Sequence, residues 1–299
     1  MRPKGRPEGE LHRSAEREGN PVRPKGRPEG ELHRSAEREG NPVSWAAARD
    51  VGLVLAALVV HVALVTEAVA AEPRSGITYA GADIRAMQAD DVANPGMLWV
   101  ERGAALWSAG AAPCAGCHGG AAVSMKGVAA RHPAWSAGAG RVVDVEDRIN
   151  ACRVERQRLS PLARESEVLL ALTAYVATQS RGLPIAVDVD GPARPAFLRA
   201  QAFYTERRGQ MNLACGNCHV DNAGKRLLAE TISEGQGNAY PAYRLEWQNV
   251  GSLQRRLRAC LFGVRAEMPP EGSPVLTELE LYLGWRARGL PVETPGVRR

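Results

Sequence analysis

The sequence predicts a mainly α-helical protein built as two similar halves in tandem. Three observations carry that expectation. Apolar residues recur at helical spacing in several stretches, and no run alternates apolar and polar residues as a half-buried strand does. A set of landmarks also occurs twice in the same order. The first pass runs Arg102-Gly103, Cys114-Ala-Gly-Cys117-His118, Arg148-Ile-Asn-Ala-Cys152, Leu172-Thr-Ala-Tyr175 and Arg181-Gly-Leu-Pro184. The second runs Arg208-Gly209, Cys215-Gly-Asn-Cys218-His219, Arg256-Leu-Arg-Ala-Cys260, Leu279-Glu-Leu-Tyr282 and Arg288-Gly-Leu-Pro291.

Residues 2–22 read RPKGRPEGELHRSAEREGNPV, and residues 23–43 repeat them without a change. This leader, 1–43, has almost no large apolar residue, so it is expected to be disordered and is assigned no function. Residues 44–71 read as a secretory signal peptide. Arg49 precedes an apolar run from Val51 to Val65, and Ala68-Val69-Ala70 is a small-x-small cleavage pattern. The run is too short to span a bilayer. The mature chain then divides into a first domain, 77–187, a second, 188–292, and a tail, 293–299. Val187 to Pro195, with Asp, Gly and Pro, reads as the linker. Helices are expected at Val145 to Arg158, Ser166 to Thr178, Pro195 to Arg207, Leu253 to Val264 and Thr277 to Arg288.

The two Cys-x-x-Cys-His pentapeptides carry the chemistry. This spacing is the attachment site of c-type haem. Both thiols add to vinyl groups of the porphyrin, and the histidine turns under the iron as an axial ligand. Zinc knuckles or redox disulfides are the alternative use of Cys-x-x-Cys, but both motifs end in His and no further such pair completes a tetrahedral site. Each half therefore has the plan of a cytochrome c domain: a helix, the haem motif, irregular loops and a closing helix. Two covalently bound haem c groups are expected on Cys114, Cys117, Cys215 and Cys218, with His118 and His219 as axial ligands. Such haem is attached outside the cytoplasm, which with the signal peptide points to a periplasm. Aromatic residues make up only 5% of the chain, a shortage that porphyrins in the core would offset. The net charge of +5 over 299 residues is too small and scattered for nucleic-acid binding but suits anionic partners.

The sixth iron ligand has several claimants. Met268 and His132 are candidates for the second and first haem, since Met is the usual choice of an electron carrier. Cys152 and Cys260 stand at equivalent places in the two halves. They could ligate iron as thiolates, remain buried thiols, or pair as a disulfide; their equivalence favours a local role in each half. A thiolate stabilises ferric iron and lowers the potential. Arg255, Arg256, Arg258 and Arg265 surround Cys260, and Arg256 shares its helix face at i−4. A guanidinium there could hold a sulfur oxyanion; a solvated basic face or a propionate partner is the other reading.

From about Ile77 to Val292 these motifs together resemble the SoxA family of sulfur-oxidation cytochromes, of the two-haem type. The resemblance implies that Cys152 and His118 ligate the first haem and Cys260 and His219 the second. It implies that Cys260 is the catalytic residue, present as a persulfide, and that Arg256 binds substrate. The activity implied is L-cysteine S-thiosulfotransferase, which joins thiosulfate oxidatively to a cysteine of the SoxYZ carrier protein. A monohaem cytochrome c, SoxX, is the implied heterodimer partner. The competing readings are a dihaem electron carrier without sulfur chemistry, a dihaem peroxidase, and a non-catalytic haem subunit. The matched cysteines argue against the carrier, and no acid–base pair beside an open haem argues for the peroxidase.

Overall fold

Two crossed helix pairs carry residues 72–299, which a computed structural model describes. The leader at 1–43 and the signal-peptide segment at 44–71 lie outside the described residues. The helices are α1 (Ala82–Ala89), α2 (Met97–Ser108), α3 (Cys114–His118), α4 (Ala121–Ser124), α5 (Val145–Glu155), α6 (Glu167–Thr178), α7 (Arg194–Thr205), α8 (Cys215–His219), α9 (Leu253–Gly263) and α10 (Pro274–Arg286). The five helices expected from spacing are therefore α5, α6, α7, α9 and α10, each within a few residues of its expected bounds. Their starts have local causes. Asp144 accepts from the Asp147 amide at 2.7 Å in a capping box that opens α5. Ser252 accepts from the Arg255 amide at 3.1 Å to open α9. Pro195 and Pro274 stand in the first turns of α7 and α10, where their fixed φ suits a helix start.

In the first half α2 packs on α6. The crossing is close because Gly103 has no side chain: a Cβ there would lie 2.1 Å from the Ala171 carbonyl oxygen. Leu169 and Leu170 of α6 are fully buried, each contributing about 1.5–3 kcal/mol by removal from water. In the second half α7 packs on α10 through aromatic contacts, with Phe197 and Trp285 centroids 5.1 Å apart and Tyr204 and Tyr282 also 5.1 Å apart. The two Arg-Gly-Leu-Pro copies meet each other. The Gly182 amide donates to the Val292 carbonyl at 2.9 Å, and the Ile185 amide donates to the Leu290 carbonyl at 2.9 Å.

Seven strands of two or three residues complete the fold: β1 (Ala134–Ser136), β2 (Arg141–Val143), β3 (Arg226–Leu227), β4 (Glu230–Thr231), β5 (Ala242–Arg244), β6 (Asn249–Gly251) and β7 (Gly296–Arg298). They are too short to display a period of two, so the sequence gives no strand signal. β1–β2 and β3–β4 are antiparallel pairs, and β5 is the centre of a sheet ordered β6-β5-β7 with β7 parallel to it. This corrects the expectation of a tail at 293–299: Thr294 and Val297 are fully buried, and Gly296 to Arg298 add a strand. Val187 and Val189, in the expected linker, are also buried and pack in the core with Leu276, Leu279 and Leu281. At the other end, Arg74 and Tyr79 both bond to Glu234, at 2.9 and 2.8 Å. Residues 72–299 thus form one compact unit. Among them no helix is long and apolar enough to cross a membrane.

A buried carboxylate cluster ties the halves together. Arg164 contacts Asp144 at 2.6 Å, Glu146 at 3.0 Å and Asp147 at 2.7 Å. Gln254 of the second half donates to Asp144 at 3.0 Å and Glu280 at 3.5 Å. Arg141 reaches only Asp147, so two cations face four carboxyls, and burial drives Glu146 up to about 8 and Glu280 well above its ordinary range. A group raised in the folded state is bound more tightly to its proton there. Its contribution to stability is complete below about 4.5, the ordinary carboxyl value, and is lost as pH rises through about 8. Glu146→Gln is therefore expected to flatten the decline in stability between pH 5.5 and 8.5, measured by urea unfolding. Wild type should lose up to about 1.4 kcal/mol more per pH unit than the variant over that window; equal slopes would refute the assignment.

Candidate active site

The second half assembles the more enclosed of two cysteine–histidine centres. Helix α8 is a single turn, which puts Cys215, Cys218 and His219 on one short rigid segment. Burial pushes the Cys215 thiol up to about 11 and raises Cys218 too. The His219 Nδ1 donates to the Ser233 carbonyl at 2.8 Å. That bond fixes the tautomer, leaving the Nε2 lone pair for a metal. Gly235 lies against the ring: with φ +74°, a Cβ there would sit 2.8 Å from the imidazole.

Cys260, half-buried on α9, lies near enough to His219 for the imidazole to act on its thiol. Burial alone would raise its thiol. The contact with His219 and the charges of Arg256, His219 and Arg244 outweigh that and hold it below the ordinary thiol range. An oriented imidazole and a stabilised thiolate meeting beside two further thiols fit a covalently attached haem with His and Cys axial ligands.

The arginines around Cys260 separate cleanly. Arg255 lies over the Trp247 ring at 4.2 Å, and Arg258 is paired with Glu271. Arg265, in the left-handed region at φ 55°, approaches Gln210 at 3.4 Å. Arg256 is the member of the group whose charge falls on Cys260. Among the described residues its close carboxylate is a long contact, Glu246 at 3.8 Å. Sequence reasoning missed Arg244, Glu246, Ser233 and Gly235. None lies within one helical turn of the ligands, and no local pattern marks them.

The first centre is more open. Helix α3 carries Cys114, Cys117 and His118, of which Cys117 is exposed. The Trp107 ring sits 5.7 Å from the His118 ring, and its Nε1 donates to the Gly119 carbonyl at 2.9 Å. Cys152 of α5 is near enough to Cys114 to help raise its thiol, an effect led by burial. Gln157 also approaches that sulfur, at 3.9 Å. All six cysteines are free, so Cys152 and Cys260 are not joined. His132 bonds to the Val128 carbonyl at 2.9 Å and lines a cavity with Asp144, Glu146 and Glu280. Arg148, at the same offset from Cys152 as Arg256 from Cys260, puts its charge on His132. Met268 is 40% exposed.

Fold and donor set together define a c-type cytochrome. The model of the SoxA/TsdA cytochrome c domain matches residues 102–185. The SoxA subunit of L-cysteine S-thiosulfotransferase from Pseudaminobacter salicylatoxidans is 44% identical over 234 residues, covering 76% of this chain and 82% of that protein. The same subunit from Rhodovulum sulfidophilum is 37% identical over 232 residues, covering 76% and 80%. A crystal structure of SoxXA from P. pantotrophus superposes with a TM-score of 0.74 at 36% identity, over 76% of this chain and 87% of that one. The chain belongs to the SoxA family.

The Gly235 contact is directly testable. Gly235→Ala places a side chain in the left-handed region, at about 1–2 kcal/mol, and drives it into the His219 ring. The expected result is a lowered melting temperature together with a shifted Soret band or altered EPR g-values. A destabilised variant with an unchanged spectrum would mean that Gly235 does not hold the ring.

Proposed function

We propose that this chain is the catalytic subunit of a periplasmic L-cysteine S-thiosulfotransferase. It joins thiosulfate to a cysteine of a SoxYZ-type carrier and passes two electrons to a monohaem cytochrome c partner of the SoxX type. The observation that carries the reading is Cys260 placed on α9 where His219 and, four residues before it, Arg256 both act on its sulfur. A simple electron carrier has no need of a thiolate with arginine charge directed at it. The relatives' names, the SoxXA structure and the shared fold support the same reading.

One haem c would be held by Cys215 and Cys218 with His219 and Cys260 as donors to its iron, and a second by Cys114 and Cys117 with His118 and Cys152. The two halves, 77–187 and 188–292, are cytochrome c-like domains related by duplication. Support comes from the matching helix–motif–helix order and from the mutual pairing of the Arg-Gly-Leu-Pro copies. Residues 44–71 direct export to the periplasm, and the leader at 1–43 is removed with them.

The bound haem supplies an acceptor for electrons leaving the sulfur. The chain's own residues do the rest. Arg256 binds the sulfonate oxygens of thiosulfate and sets its outer sulfur against the Cys260 sulfur, free or persulfidated. Oxidation forms one S–S bond there, with loss of two electrons. The carrier's thiolate then attacks that outer sulfur; the bond to the enzyme breaks, and the enzyme sulfur leaves as the anion. Overall one carrier S–H becomes carrier S–S–sulfonate, with release of one proton and two electrons.

Three measurements test this. Intact mass of the mature chain produced with its partner should give two haem increments, and peptide mapping should place an added sulfur on Cys260. Cys260→Ser should abolish turnover with haem still attached; full activity would sink the mechanism. Arg256→Ala should lower kcat/KM for thiosulfate by about ten- to a hundredfold, the loss of one charged hydrogen-bonding group. An unchanged thiosulfate dependence would mean that another residue binds the anion.

A further inference from the structure

Beside Arg256 the chain carries an anion of its own. Glu246, in the turn between β5 and β6, accepts from Arg244 Nε at 2.8 Å and lies 3.8 Å from Arg256 Nη1. The two bonds are unequal in kind. Arg244 projects from the central strand of the sheet with its side chain only 9% exposed, and its guanidinium lies 5.1 Å from the Trp247 ring centroid. It is a fixed anchor. Arg256 is 37% exposed and Glu246 49%, and their separation is too long for a direct hydrogen bond. The carboxylate therefore partly compensates the charge of Arg256 without occupying its hydrogen-bonding fork.

Glu246 also has somewhere to go. With Glu230, Leu245 and Arg299 it lines a surface cavity. Arg299, which donates to Asp83 at 3.1 Å and lies 3.9 Å from Glu230, lines the same cavity.

We infer that Glu246 is an internal counter-ion which an anionic sulfur substrate must displace from Arg256, with Arg244 as its tether. This rests on the reading that Arg256 binds thiosulfate. The device is a positioning one. Before substrate arrives it keeps the charge of Arg256 partly compensated. On binding, a dianion outcompetes the single carboxylate, whereas a weakly charged ligand does not. Glu246 thereby sets both the affinity and the charge preference of the site.

The test uses the haem-loaded chain in complex with its cytochrome partner, with thiosulfate as substrate and sulfate as an unreactive dianion. In Glu246→Gln the KM for thiosulfate should fall about three- to tenfold, the equilibrium equivalent of removing one partly exposed opposing charge. The inhibition constant for sulfate should fall in the same proportion, and the effect should lie in KM rather than kcat. Glu246→Asp, shorter by one methylene, should give an intermediate KM and guards against a glutamine variant that fails to fold. A KM that is unchanged or raised in both variants overturns the inference, as does a thiosulfate effect without a matching sulfate effect. Arg256→Ala measured alongside separates the two claims. If it raises KM while the Glu246 variants change nothing, only the counter-ion role fails; if it too changes nothing, the anion-site reading fails with it.

Discussion

The contact between His219 and Cys260 is the constraint on which the second half depends. The two residues come from separate elements and must meet with defined orientation. His219 is aimed by a single donated hydrogen bond to the Ser233 carbonyl and by a neighbour, Gly235, that leaves its ring room. Cys260 is aimed by the first turns of α9, which Ser252 caps. A one-turn helix such as α8 has almost no stability of its own. Its position comes from the packing of α7 on α10 and the loop that returns to Ser233. The sheet ordered β6-β5-β7 delivers α9 to the same place, because β6 leads directly into it.

Charge around that contact is arranged in two tiers. Most of the local arginines are tied to partners of their own: Arg258 to Glu271, Arg255 to Trp247, Arg244 to Glu246. What reaches the sulfur is the charge of Arg256 and, behind it, of Arg244. A thiolate in a partly buried site would otherwise be raised by desolvation. Positive charge and an imidazole contact reverse that. The same charges suit a sulfur oxyanion, so under the proposed function nucleophile activation and substrate recognition would draw on one set of residues.

The halves are not independent beads on a string. Arg164 gathers Asp144, Glu146 and Asp147, and Gln254 extends that network into the second half. The paired Arg-Gly-Leu-Pro copies, the strand at Gly296–Arg298 and the Arg74–Glu234 contact close the remaining seams. Mutual locking of this kind keeps α5 and α9, which carry the two ligand-type cysteines, at fixed distances from their histidines.

Local chemistry was legible from the chain alone. Cys-x-x-Cys-His, the long helices, the repeated landmarks and the neighbourhood of Arg256 and Cys260 on one helix all depend on residues within a few positions of one another, where spacing is geometry. Other features were not legible. Nothing near Glu246 announces that it lies between two arginines, and nothing in residues 293–299 marks a strand, because a three-residue strand has no period and its partner is some fifty residues away along the chain. Buried Val187 and Val189 looked like linker because Pro, Gly and Asp flank them. Which arginine faces the sulfur was likewise decided by tertiary structure: four lie close in sequence, and only long-range pairing with Trp247, Glu271 and Gln210 removes three of them from contention. Spacing determines what a segment can bind, whereas packing between distant segments determines which of its side chains remain free to do so.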